Sequence, residues 1–239
     1  MASGLIMKSI VMLSAACVVL HSCKHTDQVN VEQATPLHES TKVSAPSMNV
    51  VLVHGFLQTG NSYRHLRRRL EKRNVRCLTA KLSPSDGRTG ICALAADLSD
   101  QIDEAFGMTE RFSIVGYSMG GLVSRYYLQN LGGAKRCNQL VTIASPHQGT
   151  AMANLYPSKG ARQMRRGSVF LNQLKESEHK LGDIPVTSYR TPLDLMILPS
   201  TSSVWNRADN RAHTVAMHPL MLRDSRVLDD VEKRLLGEP

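Results

Sequence analysis

The segment Gly116-Tyr117-Ser118-Met119-Gly120 sets a serine between two glycines, after the β-branched run Phe112 to Val115 and before a helical pattern that begins near Met119. A chain that passes straight from strand to helix holds its junction residue in a strained conformation, and glycines two positions to either side remove the clashes. The junction side chain is thereby presented outward. At the start of a helix it also meets unsatisfied N–H groups and a dipole that favour developing negative charge. These are the requirements of an oxygen nucleophile, with Met119 N–H as one oxyanion donor. A serine hydroxyl is weak alone and needs a base within hydrogen-bond reach, itself oriented by a carboxylate. On strand-turn-helix scaffolds of this type the chain order is serine, acid, histidine.

The histidines downstream of Ser118 are His147, His179, His213 and His218. His218 follows the strand candidate Thr214 to Ala216 and precedes the last helical pattern, where a loop brings an imidazole over the carboxyl edge of a sheet. His213 falls at the beginning of the same strand candidate, at the opposite edge. His147 precedes every candidate acid and reads as a hydrogen-bonding residue of its own loop; His54, after the first strand, reads as a brace. Among the acids, Asp194 follows the strand candidate Val186 to Tyr189, Asp183 precedes it at the wrong edge, and Asp209 lies in a polar loop. The expected set is Ser118 as nucleophile, His218 as base and Asp194 as its orienting acid.

The elements that must position these residues alternate. Strand candidates are 48–53, 75–80, 112–115, 140–144, 186–189 and 214–216; helical patterns cover about 62–73, 91–106, 119–131 and 225–236. Alternation of this kind predicts an α/β domain with a doubly wound, mostly parallel sheet and helices on both faces. Gly132-Gly133 marks the stop of the third helix, and Asp86-Gly87 a turn. Between Pro146 and Pro185 the alternation breaks down, leaving a short helical stretch at 169–175. An insertion after a strand's carboxyl end lies at the active-site edge, so residues 147–180 are a candidate cap, with Phe170 and Leu171 among the side chains expected to shape a pocket.

The motifs Val53-His54-Gly55-Phe56, Gly116 to Gly121, Ser145-Pro146-His147-Gln148-Gly149-Thr150, Thr191-Pro192-Leu193-Asp194-Leu195 and His218 to Asp224 together resemble small secreted bacterial lipases and esterases of the α/β-hydrolase superfamily. The resemblance runs from about Asn49 to Val231. It implies a minimal α/β-hydrolase fold, carboxylic ester hydrolysis without cofactor or metal, and an oxyanion hole completed by the backbone N–H of Phe56. Pro219 departs from the family's pattern beside the histidine. Acyltransferase, thioesterase or amidase chemistry uses the same fold and triad, and a non-catalytic binding module is the remaining alternative.

Hydrophobic residues make up 42% and charged residues 21% of 239 positions, which is globular usage and excludes disordered or fibrous classes. The net charge is +9, with Arg64, Arg67, Arg68, Arg69, Lys72, Arg73 and Arg76 concentrated on one helical pattern. No nucleic-acid motif accompanies them, so a solvated helix face is expected, with attraction to anionic lipid as the alternative. Residues 1–23 read as a signal peptide: Lys8, an apolar run from Ser9 to Leu20, then Leu20-His21-Ser22-Cys23, similar to a lipoprotein cleavage site. Residues 24–47 read as a flexible tether and 48–239 as the catalytic domain, exported and either periplasmic, membrane-anchored through Cys23 or secreted. Cys77, Cys92 and Cys137 show no zinc spacing; export makes a Cys77–Cys92 disulfide an option.

Overall fold

The computed structural model describes residues 48–238. The expected signal peptide, Cys23 and the tether lie outside these residues. Strands β1 (Met48–Val53), β2 (Val75–Thr79), β3 (Phe112–Tyr117), β4 (Cys137–Ile143), β5 (Val186–Arg190) and β6 (Asp209–Ala212) form a 6-stranded sheet of order β2-β1-β3-β4-β5-β6. Every neighbouring pair is parallel, so every strand's carboxyl end lies on one edge. The chain runs outward from β1 to β2, then returns past β1 to β3. The crevice between β1 and β3 is therefore the point where winding reverses, the usual ligand site of an open α/β sheet.

Helices α1 (Arg64–Lys72) and α6 (Ser225–Leu236) cover one face; α2 (Ile91–Phe106), α3 (Met119–Asn130) and α5 (Val169–Glu176) cover the other, with α4 (Lys159–Gln163) beside α2. β1 shows why its sequence is a continuous apolar run. Val51 and Val53 pack into the core under α2 and α3, while Val50 and Leu52 pack into the core under α1 and α6. A strand covered on both faces has no polar side to alternate with. Gly132 takes the left-handed conformation after α3, and Asp224 caps α6 by accepting from Arg226 N–H and Val227 N–H.

One expectation is corrected and one option is closed. The last strand is Asp209–Ala212, not 214–216. Thr191 Oγ1 donates to Val215 O at 2.7 Å and accepts from Val215 N at 3.1 Å, so a side chain occupies the backbone groups that a ladder would use. β6 is an exposed edge strand of Asp, Asn, Arg and Ala, polar where a buried strand is apolar. The disulfide does not form: Cys77, Cys92 and Cys137 are free thiols, and Cys92 Sγ instead accepts from Gln163 Nε2 at 3.6 Å.

Candidate active site

β3 ends at Tyr117 and α3 begins at Met119, leaving Ser118 alone at the junction with φ 53° and ψ −124°. Such a positive φ is costly for a residue with a Cβ and persists only where the surroundings impose it. The glycines allow the imposition. A Cβ on Gly120 would lie 2.1 Å from Val53 O, and one on Gly116 would lie 2.6 Å from Gly121 Cα. The elbow thus presses against the end of β1. Gly121 N–H donates to Ser118 O at 3.1 Å, while Met119 N–H, in the first turn of α3, has no intrahelical acceptor.

The loop after β1 approaches from the other side of the crevice. His54 Nε2 accepts from Leu82 N–H at 3.1 Å, which places its proton on Nδ1, 3.0 Å from Gly55 O. Burial holds the His54 ring below its ordinary protonation range, keeping this brace neutral. Leu57 N–H donates to Ser85 O and Gln58 N–H to Gly55 O, leaving Phe56 N–H outside these turn bonds. Tyr63 OH bridges Val53 O at 3.2 Å and Val115 O at 2.9 Å, fastening the ends of β1 and β3 together.

Asp194 and His218 meet at the same edge. His218 Nδ1–H donates to Asp194 Oδ2 at 2.8 Å, and Asp194 Oδ1 accepts from Met196 N–H and Ile197 N–H, each at 2.9 Å. The carboxylate is 3% exposed, and these three contacts engage both of its oxygens. With the proton of Nδ1 committed, His218 Nε2 is the free acceptor of the ring. Tyr117, one residue before the elbow, positions this histidine: its OH donates to His218 O at 3.0 Å and the rings lie 4.9 Å apart. Burial and the nearby Asp194 charge raise the Tyr117 phenol, so it stays protonated and remains a donor. Nothing local in the sequence marks Tyr117 or Tyr63 for these roles, since both act on residues in other elements.

Ser118 and His218 line one cavity of about 470 Å³, with Phe56, Tyr117, Met152 and Met164 among its walls. Its size is that of a small-molecule site. Among the described residues the Ser118 hydroxyl makes no hydrogen bond; such contacts commonly tighten only when substrate is bound. Leu57, Leu155 and Met196, 60%, 77% and 48% exposed, carry the apolar lining out to the surface.

The expected cap divides into two parts. Residues 150–164 supply Thr150, Met152, Ala153, Leu155, Tyr156, Ala161 and Met164 to the cavity. Thr150 Oγ1 fastens them to the loop after Asp194, donating to Met196 O at 2.8 Å and accepting from Leu198 N–H at 2.9 Å. Phe170 and Leu171, expected in the pocket, face elsewhere. Phe170 stacks on Tyr126 and joins the core over α3, and Leu171 lines a separate cavity of about 400 Å³ with Arg125, His147 and Trp205.

The rival residues are engaged away from Ser118. His213 follows β6 and so lies at the carboxyl edge, contrary to expectation, but it packs on Tyr189 and faces Asp230 at 3.5 Å. Asp209 is paired with Arg211 and Arg234. Among the described residues no three His, Cys, Asp or Glu side chains converge as metal ligands, and no helix is long and apolar enough to cross a membrane.

No curated protein matches the sequence. Solved structures that it resembles include the mature lipase BlEst2 of Bacillus licheniformis, with TM-score 0.64 and 16% identity over 80% of this chain and 92% of that one. Aspergillus fumigatus lipase B aligns with TM-score 0.63 and 14% identity over 77% of this chain and 52% of that one. A bromoperoxidase of Bacillus anthracis aligns with TM-score 0.58 and 13% identity over 80% and 92%. At these identities the likeness concerns the fold, which is that of the α/β-hydrolases. Residues 49–182, more than half of the chain, match the palmitoyl protein thioesterase family, and the protein belongs to that family.

Proposed function

We propose that the protein hydrolyses acyl esters and thioesters through an acyl-enzyme on Ser118. The observation that carries this reading is the buried 2.8 Å pair between His218 Nδ1 and Asp194, with His218 lining the same apolar cavity as a serine held at φ 53°. In the first half-reaction Ser118 Oγ attacks the substrate carbonyl while His218 Nε2 takes its proton. Asp194 holds the ring and stabilises the imidazolium. Met119 N–H and Phe56 N–H receive the oxyanion, each such donor being worth about 100- to 1,000-fold in kcat. The imidazolium then protonates the leaving oxygen or sulfur as its bond to the acyl carbon breaks. Water repeats the sequence, releasing the carboxylic acid and restoring Ser118.

Ser118→Ala should abolish both hydrolysis and covalent labelling by a fluorophosphonate probe. Undiminished turnover in that variant excludes the reading. The family match favours thioesters, and the apolar surface running from the cavity to Leu57 and Leu155 favours long acyl chains. Matched palmitoyl thioester and palmitoyl ester substrates, compared by kcat/KM, distinguish a thioesterase from a general esterase.

The amino-terminal reading belongs to the same proposal. An exported protein anchored through Cys23 should carry acyl chains on that residue, and Cys23→Ala should release it from the membrane fraction. Membrane association that survives the substitution points to another anchor.

A further inference from the structure

Beside the apolar cavity lies a second cleft of about 880 Å³, walled by α1 and by the segment from Thr79 to Ser85. Gln58 lines both, so the two meet at one wall. The basic residues of α1 sort between its sides. Arg69 pairs with Asp229 and Glu232, and Arg73 with Glu232 and Glu238, so that side of the helix is neutralised by α6 and the chain's end. Arg67 lies in the cleft wall with Glu71, 2.6 Å away, and the two offset each other. Arg64, Arg68 and Lys81 also line the cleft, and among the described residues none has a carboxylate partner; Arg64 Nε donates only to His65 Nε2, at 3.2 Å.

Uncompensated cations sharing one concave wall repel each other, and an anion between them reverses the sign of that interaction. A cleft with two unpaired guanidinium forks, Arg64 and Arg68, and the Lys81 ammonium suits a compact oxyanion with several acceptors. Its concavity argues for a group that enters the protein over a flat charged surface.

We propose that this cleft binds the phosphate of the leaving group, so that the preferred substrates join an acyl chain, held in the apolar cavity, to a phosphorylated alcohol or thiol. The substrate assignment rests on the acyl-hydrolase reading; the anion site does not. Two soluble probes test it: 1-butyrylglycerol and 1-butyrylglycerol 3-phosphate. Wild-type protein should favour the phosphorylated ester in kcat/KM by about tenfold or more, as a charge-assisted contact to phosphate predicts, and the preference should shrink as salt is added. In the Arg64→Gln/Arg68→Gln double variant the preference should fall to near parity while hydrolysis of the neutral ester is unchanged. Arg67→Gln, whose partner is Glu71, should have a smaller effect.

Calorimetry with glycerol 3-phosphate separates the two ideas. Ser118→Ala protein should bind it, and the double variant about tenfold more weakly. Binding without hydrolysis of either ester leaves the anion site standing and removes the hydrolase reading. Equal rates on both esters with no glycerol 3-phosphate binding overturn the proposal. It is also overturned if the double variant loses activity only on vesicles of anionic phospholipid while keeping its preference for the soluble phosphorylated ester, because the basic residues then serve a membrane surface.

Discussion

His218 and His147 are buried almost equally, 7% and 6% exposed, and each sits in the wall of a cavity at the carboxyl edge of the sheet. Their partners differ. His218 donates its Nδ1 proton to a carboxylate and keeps Nε2 free in the cavity that Ser118 also lines. His147 Nδ1 instead accepts from Arg125 Nη1 at 3.3 Å, and its Nε2 lies 3.0 Å from Thr142 Oγ1, so both ring nitrogens are spent. Burial and the adjacent guanidinium hold His147 well below the ordinary imidazole range. Arg125, stacked 4.0 Å over Trp205, is itself drawn down by burial to about 10, with Glu178 pulling the other way, and remains charged at neutral pH. Burial therefore does not make a histidine a base. A carboxylate on one nitrogen and an open second nitrogen suit a ring to the base role proposed for His218, whereas a cation on one nitrogen makes the ring a fixed structural joint.

The largest effect that separates the two histidines is expected at Asp194. Asp194→Asn keeps the shape of the side chain but reverses the tautomer of His218, and kcat should fall about 10,000-fold with the fold retained. His147→Gln should change kcat by less than about tenfold, an effect on packing alone. Turnover measured with one soluble ester checks both, and a comparable loss in the two variants breaks the distinction.

Met164 and Leu171 sharpen the comparison at the level of the cavities. Both are 6% exposed, but Met164 lines the cavity of Ser118 and Leu171 the cavity of His147. Leu171→Ala should destabilise the protein by about 2 to 5 kcal/mol in denaturant titration, as large-to-small core changes do, with the ratio of long-chain to short-chain kcat/KM unmoved. Met164→Ala should shift that ratio by about tenfold, the worth of a pocket contact of about 1 to 3 kcal/mol. A shift of similar size in Leu171→Ala would show that acyl chains reach the second cavity.

The smallest effect is on the pH dependence of stability. The ordinary imidazole value is 6.5, and folded His147 lies well below it, so under about pH 6.5 the unfolded chain takes up a proton that the native protein refuses. Stability from this group is complete above 6.5 and declines as pH falls from there toward the folded value, by at most about 1.4 kcal/mol per pH unit. His54, lowered by burial, acts in the same direction. Denaturant midpoints recorded from about pH 7.5 down to about pH 5 should fall, and His147→Gln should flatten part of the slope.

Much of the site is legible in the chain because its signals are local. Strand, glycine-flanked serine and helix occupy one short stretch, and backbone sterics alone demand that combination at Ser118. Asp194 emerges from chain order and from its place after β5, and His218 from chain order, since the strand candidate 214–216 before it forms no strand. The expectation that His213 lies at the opposite edge fails, since the polar edge strand β6 carries no apolar pattern and His213 follows it at the carboxyl edge. Phe170 and Leu171 fail for a related reason. Apolar residues in a long insertion need burial, but sequence does not say against which surface.

What the sequence determined by itself was the alternation of strands and helices, the parallel sheet, and the strained serine at the end of β3, because each follows from periodicity or from sterics within a dozen residues. Only the tertiary structure decided which charges are cancelled and which are left over. Arg69 meets Asp229 across 160 positions of chain, while Arg68 beside it has no carboxylate partner among the described residues. It likewise decided that Asp194 gives its carboxylate to His218, 24 residues away, and that Arg125 and not an acid faces His147. Such pairings depend on how the parallel sheet and the helices packed on it bring distant segments together, and no spacing along the chain encodes that distance.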